Sequence, residues 1–491
     1  MTRGVITVAS LALVCGTPIA WSQSRGAYEV VTTERGAFIV PREAAPADGQ
    51  NPFARGIAWS FFDVVAIPES CALAPSSDSA WVAQNLNSIR VQRFDISGTG
   101  IPDDEYPVTT TNAVGVAAAQ GADLAASLSF EGGVFVVRTY TTGGAGWNRS
   151  FPANYNQGNL YYNVDVSRDG STVAVALHDQ AAYMAHLWIL NGNDGSIRQT
   201  WSEAGAPGGV DLTDDGSLCL VTHQFFQDGV QRDRGKVIDT ATGTQIFEGL
   251  ANAAGGRFPI SGDGRTFATG AFNMRIYHNP GTGYVQTRLF SAANSWFGWG
   301  LAASRDGSTV GVMSHDYASG YLLTSTRVFD AATGNLLGTY NTAGTGPLQG
   351  AVAGAAMNED GTRLAVAHWG TADGETPEVL VLDRSAALVG SIDTVGSVFS
   401  LDMSDSGRYV LAGNKNVHAN TNGNGGTTNL LDLGSDCPAD FDGDGFVTGI
   451  DYDLYVAAFE AGEMSADFDG DGFITGIDFD LYVGAFEAGC E

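Results

Sequence analysis

Ser167-Arg168-Asp169-Gly170-Ser171-Thr172-Val173-Ala174-Val175-Ala176 is a polar turn that runs straight into a short strand, and the chain repeats this phrase. Asp-Gly supplies the positive φ that a tight hairpin needs, and the Val/Ala run after it suits a buried strand. Clear copies stand at Thr213-Asp214-Asp215-Gly216, Ser261-Gly262-Asp263-Gly264, Ser304-Arg305-Asp306-Gly307 and Asn358-Glu359-Asp360-Gly361. Weaker ones are Asp405-Ser406-Gly407, Asp78-Ser79 and Gln120-Gly121. Marked by the glycine or its equivalent, the copies fall at 79, 121, 170, 216, 264, 307, 361 and 407, spaced by 42 to 54 residues. That period is about the length of one four-stranded propeller blade.

A second signal follows later in each unit, where an apolar strand ends in Asp and a turn: Val237-Ile238-Asp239 up to Gly243, Val328-Phe329-Asp330 up to Gly334, and Val381-Leu382-Asp383. These mark a third strand and its hairpin to a fourth. Two turn signals recurring in phase predict a mainly β fold, a propeller and not a sandwich or helical bundle. Eight markers favour eight blades, and the two poor N-terminal copies leave seven open. After residues 428–433 no room remains for a fourth strand, so the last blade must borrow one, and the apolar residues 57–67 are the natural donor. By these signals residues 70–435 resemble the broad class of WD40-like, YVTN-like and quinoprotein-like propellers, a resemblance that implies a fold and no chemistry. Sialidase-type Asp boxes separate Asp from Gly by one residue, whereas here the two are adjacent. The Trp that follows D-x-x-T-G in quinoprotein dehydrogenases is also missing.

The chain has 491 residues, 44% hydrophobic and 16% charged, which is the composition of a folded protein. Its 24 Lys and Arg face 54 Asp and Glu, a formal charge of −30 that repels nucleic-acid phosphates and anionic membranes. Residues 1–22 read as a secretory signal: Arg3, an apolar core over residues 5–14, and Ala20-Trp21-Ser22 as the cleavage pattern. Ser10, Gly16, Thr17 and Pro18 break the run that a membrane anchor would need, and no later segment reads as a span. The expected organisation is a signal at 1–22, an N-terminal segment at 23–56, the propeller at 57–435 and a C-terminal module at 436–491. Without Cys15, four cysteines (Cys71, Cys219, Cys437 and Cys490) remain in a compartment that permits disulfides, and three pairings are open. A Cys437–Cys490 bond would staple the two ends of the module, with a loop-closure contribution of roughly 4 kcal/mol.

The module carries the most specific pattern. Residues 440–462 read DFDGDGFVTGIDYDLYVAAFEAG and residues 467–489 read DFDGDGFITGIDFDLYVGAFEAG, differing only at Val447/Ile474, Tyr452/Phe479 and Ala457/Gly484. Calcium takes six to eight oxygens, and a twelve-residue loop delivers them from alternate positions. In the first copy Asp440, Asp442 and Asp444 offer carboxylates, Gly445 allows the turn, Phe446 offers its carbonyl, Thr448 acts directly or through water, and Asp451 closes the loop. In the second copy these roles fall to Asp467, Asp469, Asp471, Gly472, Phe473, Thr475 and Asp478, so two calcium ions are expected. An EF-hand closes with Glu and has helices on both sides. Here Asp closes and only the following side looks helical, with helices expected from Asp451 and Asp478. The stripe of Leu454, Tyr455, Ala458 and Phe459, repeated as Leu481, Tyr482, Ala485 and Phe486, is expected to bury one helix against the other.

Loop then helix, twice, with Asp at the twelfth position, resembles the dockerin family, and Cys437 with the closing Gly489-Cys490 resembles its bacterial variant that ends in Gly-Cys. The resemblance implies that loop positions ten and eleven, Gly449-Ile450 and Gly476-Ile477, meet a cohesin-like domain of a scaffold or surface protein together with the following helix. The two pairs are identical, which implies two equivalent orientations. The family's usual hydroxyl residues are absent, implying a more apolar contact.

On the propeller, His178, His223, His315 and His368 each follow their blade's glycine by seven or eight residues. Imidazoles converging on one rim could bind a transition metal, but a one-residue offset flips a side chain to the other face of a strand. Trp147, Trp201, Trp296, Phe297, Trp299 and Trp369 are candidates for stacking on sugar rings or, equally, for filling blade contacts. The leading expectation is a secreted, scaffold-attached propeller that binds a polymer or protein. A polysaccharide-degrading enzyme, glycoside hydrolase or lyase, and a structural surface protein are the alternatives.

Overall fold

The computed structural model describes residues 28–33, 36–41, 56–85, 88–108, 112–152, 155–156, 162–251, 258–344, 350–370, 376–418, 425–434, 439–441, 447–468 and 473–489. The expected signal at 1–22 and the cysteines Cys437 and Cys490 lie outside the described residues. Two units are distinguished: Ser60–Leu430, and a second drawn from the two ends of the chain, Met1–Trp59 with Leu431–Glu491.

Eight antiparallel sheets follow one another as an eight-bladed propeller. Blade 1 runs Ile67–Ala74, Ser79–Asn85, Arg90–Asp95, Asp104–Pro107, and blade 2 runs Asn112–Ala118, Ala125–Glu131, Val134–Thr141, Gly144–Ser150. In blade 3, Val164–Val166 is followed by Thr172–Asp179, Met184–Asn191 and Ile197–Ala204; in blade 4, Ala206–Leu212 by Leu218–Gln227, Val230–Asp239 and Thr244–Ala251. Blade 5 has Thr266–Gly270, Met274–His278 and Val285–Phe290, with a single bridge from Ile260 to Phe267 in place of an innermost strand. Blade 6 comprises Leu301–Ala303, Thr309–Asp316, Leu323–Asp330 and Leu336–Ala343, and blade 7 comprises Val352–Met357, Arg363–His368, Val379–Asp383 and Leu388–Ile392. Blade 8 joins Val398–Met403, Tyr409–Lys415 and Gly426–Asp432 to the early strand Gly56–Asp63. That borrowed strand closes the ring as expected, and Ser60 Oγ donates to Asn429 Oδ1 at 2.6 Å across the seam. It ends at Asp63, four residues short of the expected limit, because Ile67 already starts the innermost strand of blade 1.

The quoted turn works as read, through one more residue than the Asp-Gly pair. Gly170 N donates to Ser167 O, Ser167 Oγ donates to Asp169 Oδ1 at 2.6 Å, and the same oxygen accepts Ser171 N at 2.9 Å. The left-handed φ falls on glycine in six of the eight copies: Gly170, Gly216, Gly264, Gly307, Gly361 and Gly407 lie between +63° and +74°, whereas in the first copy it falls on Asp78 at +49° and Gly121 of the second does not adopt it. After the turn, period two takes over. Val173 and Val175 pack into a cluster shared with Leu128 and Phe135 of blade 2. Ala174 and Ala176 pack the other way, with Val210 and Leu212 of blade 4.

The glycine has a second duty between blades. A Cβ at Gly361 of blade 7 would come within 2.5 Å of Thr309 Cβ in blade 6, with φ at +70°. Gly361→Ala is therefore expected to destabilise the propeller by about 1–3 kcal/mol through backbone strain and a forced blade separation. Urea unfolding of the variant against the parent measures it, and an unchanged midpoint would show that the turn tolerates a side chain.

The C-terminal unit holds the two helices of the described residues, α1 (Gly449–Ala461) and α2 (Gly476–Ala488). Both start two residues earlier than expected, because Thr448 and Thr475 are the N-caps and Asp451 and Asp478 sit three residues on, completing a reciprocal capping box. Tyr455 and Tyr482 stack face to face at 3.7 Å and 6°, both fully buried. Their hydroxyls cross over: Tyr455 donates to Ala466 O at 3.2 Å and Tyr482 to Ala439 O at 3.3 Å, so each helix braces the segment leading into the other loop. The expected apolar stripe is only partly buried. Leu454 and Leu481 face solvent, while Phe459 and Phe486 of the stripe pack against the tyrosine pair and Tyr452 and Phe479, from outside it, help close the core.

Candidate functional site

In each loop the closing carboxylate is wholly buried and gathers the chain around itself. Asp451 Oδ1 accepts Phe441 N at 2.8 Å, and Oδ2 accepts Thr448 N at 2.7 Å and Thr448 Oγ1 at 3.1 Å. Asp478 repeats this with Phe468 N at 2.8 Å, Thr475 N at 2.7 Å and Thr475 Oγ1 at 3.2 Å. Asp440 and Asp467, the first residues of the loops, are also buried, while Phe473 is exposed. Asp442, Asp444, Phe446, Asp469 and Asp471 lie outside the described residues. The donor set is all oxygen, and Asp451 and Asp478 each sit where a loop folds back on its helix, so these residues fit a hard divalent cation such as calcium. Buried carboxylates of one sign are costly unless a cation offsets them.

The segments expected to meet a partner are open. Gly449 and Gly476 have no atom near where a Cβ would stand, and Ile450 and Ile477 are each 61% exposed. Leu454 and Leu481 extend each patch by one helical turn, and Asp453 and Asp480 flank it.

The propeller histidines stand on the second strands of their blades, His178, His315 and His368 at or next to the far end and His223 mid-strand, and each is taken up by local packing. His315 Nδ1 accepts Val352 N of the next blade at 3.1 Å, and His368 Nδ1 accepts Gly370 N at 3.1 Å. His223 lies fully buried between Trp201 and Phe225, and His178 packs edge-on to Tyr183. Burial holds His223 down to about 3, helped by nearby Lys236, and His315 down to about 4. Among the described residues no three His, Cys, Asp or Glu side chains come together to hold a metal ion. Cys71 and Cys219 are buried in blades 1 and 4 and are not joined in a disulfide.

Innermost strands surround a cavity of about 190 Å³. Three of its carboxylates tie neighbouring blades: Asp165 accepts Leu212 N at 2.7 Å, Asp211 accepts Ile260 N at 2.7 Å and Asp402 accepts Leu73 N at 2.8 Å. At the end carrying the Asp-Gly turns, the second residues of several turns, Arg168, Asp214, Arg305 and Asp405, pair between blades. There Arg168 of blade 3 pairs with Asp405 of blade 8 at 2.5 Å, and Arg305 of blade 6 pairs with Asp214 of blade 4. Gln120 of blade 2 holds both Met403 O and Asp405 N of blade 8. These reaches across the axis were legible only as the variable residue in an otherwise repeated turn.

The opposite end carries aromatic side chains, and Trp299 also lines the cavity there. Of the six candidates, Phe297 and Trp201 are buried, and Trp147 is a blade contact, its Nε1 donating to Gly192 O at 2.6 Å. Trp369 packs against Phe399 under the Lys415 ammonium. Trp296 and Trp299 remain, joined by Phe272 and Tyr317, which sequence reasoning missed. No protein-family model matches the chain, and no curated protein matches it. No helix among the described residues is long and apolar enough to cross a membrane.

Proposed function

We propose that this chain is a secreted docking protein: a calcium-ordered C-terminal module of dockerin type grips a cohesin-like domain on a scaffold or surface, and the propeller presents a binding face for a ligand or protein. One observation carries the reading. Two loop–helix units place a buried carboxylate on the same three donors and an equally exposed isoleucine on the first turn of each helix. Asp440, Asp442, Asp444, Asp451 and the carbonyl of Phe446, with Thr448 directly or through water, would hold one calcium ion, and Asp467, Asp469, Asp471, Asp478 and the carbonyl of Phe473, with Thr475 in the same role, the other. The ions supply the positive charge that lets the loops close, leaving Ile450 with Leu454 and Ile477 with Leu481 as two like apolar faces. A partner that takes either face binds in two orientations.

The test is calcium-dependent capture of the full chain on a panel of immobilised cohesin domains. Ile450→Asp or Ile477→Asp alone removes one of two equal modes and is expected to weaken binding only about twofold, whereas the double variant abolishes it. Capture that persists in chelator, or that the double variant leaves intact, would overturn the reading.

A further inference from the structure

We propose that the rim formed by blades 5 and 6 is a stacking platform for a neutral polysaccharide, which lies across the mouth of the central cavity without threading it. The proposal rests on the propeller being a binding module and names what it binds. Phe272 is 50% exposed, and Trp299 and Tyr317 are each 43% exposed, above a core in which Phe267, Phe297 and Phe329 are buried; the other exposed rings of the described propeller residues, Tyr183 and Phe226, form a separate pair on blades 3 and 4. The rim's exposed rings surround a half-buried Trp296: Phe272 to Trp296 is 5.0 Å, Trp296 to Trp299 is 6.2 Å and Phe272 to Tyr317 is 6.5 Å. Contiguous aromatic surface left in water at this density marks a binding face.

The platform is held rigid from below. Phe297 N donates to Ala271 O at 2.6 Å and Tyr317 N donates to Asn294 O at 2.9 Å, so the connection between blades 5 and 6 is pinned to both of the hairpins that carry Phe272 and Tyr317. Ordering of these side chains is thus largely complete before a ligand arrives, which lowers the entropy cost of binding.

Two properties select the occupant. Neighbouring rings meet at 82°, 68° and 89°, giving a stepped surface of separate ring faces that suits successive pyranose units better than a continuous flat partner. The adjoining cavity carries Asp165, Asp211, Asp402 and Asp405 against Arg168 and Arg305, within a chain of net charge −30. A polyanion is repelled there, whereas a neutral sugar can lay its C–H face on an aromatic ring and turn its hydroxyls toward carboxylates. The Arg168–Asp405 and Arg305–Asp214 pairs bar the far end of the cavity, so a polymer has to stay on the rim.

Affinity electrophoresis of the full chain through gels containing hydroxyethylcellulose, mixed-linkage β-glucan, xyloglucan or galactomannan tests this, with polygalacturonate as the anionic counterpart. At least one neutral polymer is expected to retard the protein and polygalacturonate is not, with the same result in calcium and in chelator. Trp299→Ala and Phe272→Ala should each weaken retardation about tenfold, and Trp299→Phe should restore most of it. Because these side chains are exposed, an unchanged melting point will confirm that the variants fold. No retardation by any neutral polymer, equal retardation by polygalacturonate, or retardation that survives both alanine variants would overturn the proposal, as would platform-dependent capture of a protein alone. Failure here with calcium-dependent cohesin capture intact would leave the docking reading standing, and the converse would leave the platform standing.

Discussion

Chelating calcium from the full chain is expected to unfold residues 439–489 while the propeller stays folded. Asp440, Asp451, Asp467 and Asp478 are buried, and the sequence places Asp442, Asp444, Asp469 and Asp471 in the same two loops. Without a cation these like charges must either stay apart or take up protons, and both routes open the loops. The apolar interior cannot offset that by itself, since it consists of Tyr455, Ala458, Ala466 and Tyr482 with a rim of partly buried aromatics. A ligand that binds only the folded form, at a thousand times its Kd, adds about 4 kcal/mol per site, enough to decide whether so small a unit folds. The stacked Tyr455–Tyr482 pair gives a local signal: near-ultraviolet circular dichroism should drop with chelator and return with calcium. Limited proteolysis should become fast after residue 435 over the same range. Equilibrium dialysis should find two calcium ions per chain, falling to one in Asp451→Asn and one in Asp478→Asn. Each substitution removes a charge and turns an amide NH2 toward the donors that Asp451 or Asp478 now satisfies. An unchanged proteolysis pattern in chelator, or no bound calcium, would sink the reading.

The parts of this architecture that could be read in advance are those set by near neighbours in the chain. The Asp-Gly turns are local: a Ser, Thr or Asn, an Asp and a left-handed Gly within four residues decide the hairpin, and the five clear copies form it. The need for a borrowed strand in blade 8 was also readable, because a blade with three strands leaves a sheet edge open. Helix starts were misplaced by two residues because Asp451 and Asp478 look like caps, whereas the cap is the Thr three residues before each. Leu454 and Leu481 misled for a different reason. An apolar stripe marks a face to be covered without saying by what, and the tyrosine pair used up the internal contact. The rim platform and the barrier across the axis were invisible because ring closure makes them. Phe272, Trp299 and Tyr317 come from three different connections, and Arg168 and Asp405 are 237 positions apart.

Acid should destabilise the propeller well above the range in which carboxylates titrate, and the buried histidines are the cause. In the fold His315 is held down to about 4 and His223 to about 3, chiefly by burial, while in the unfolded chain each returns to about 6.5. Between these values the unfolded state binds more protons, so stability is fully present above pH 6.5 and falls as pH drops through the window toward pH 4. At 1.36 kcal/mol per pH unit, His315 alone withdraws about 2–3 kcal/mol by pH 4.5. Its neighbour Asp316 acts against the shift, and Lys236 reinforces the one at His223. Two buried carboxyls, Glu69 and Glu378, run the other way. Burial raises both above the ordinary carboxylate range, so they favour the fold as acid protonates them and offset part of the loss. Urea midpoints of the parent at pH 7 and pH 4.5 should therefore differ, and His315→Gln should narrow the gap, because the glutamine oxygen can still accept Val352 N but nothing titrates. A variant whose midpoint falls by as much as the parent's would assign the acid sensitivity elsewhere. A shared fall concentrated below pH 4 would place it on carboxylates such as Glu131, which its Arg138 partner holds below the usual range.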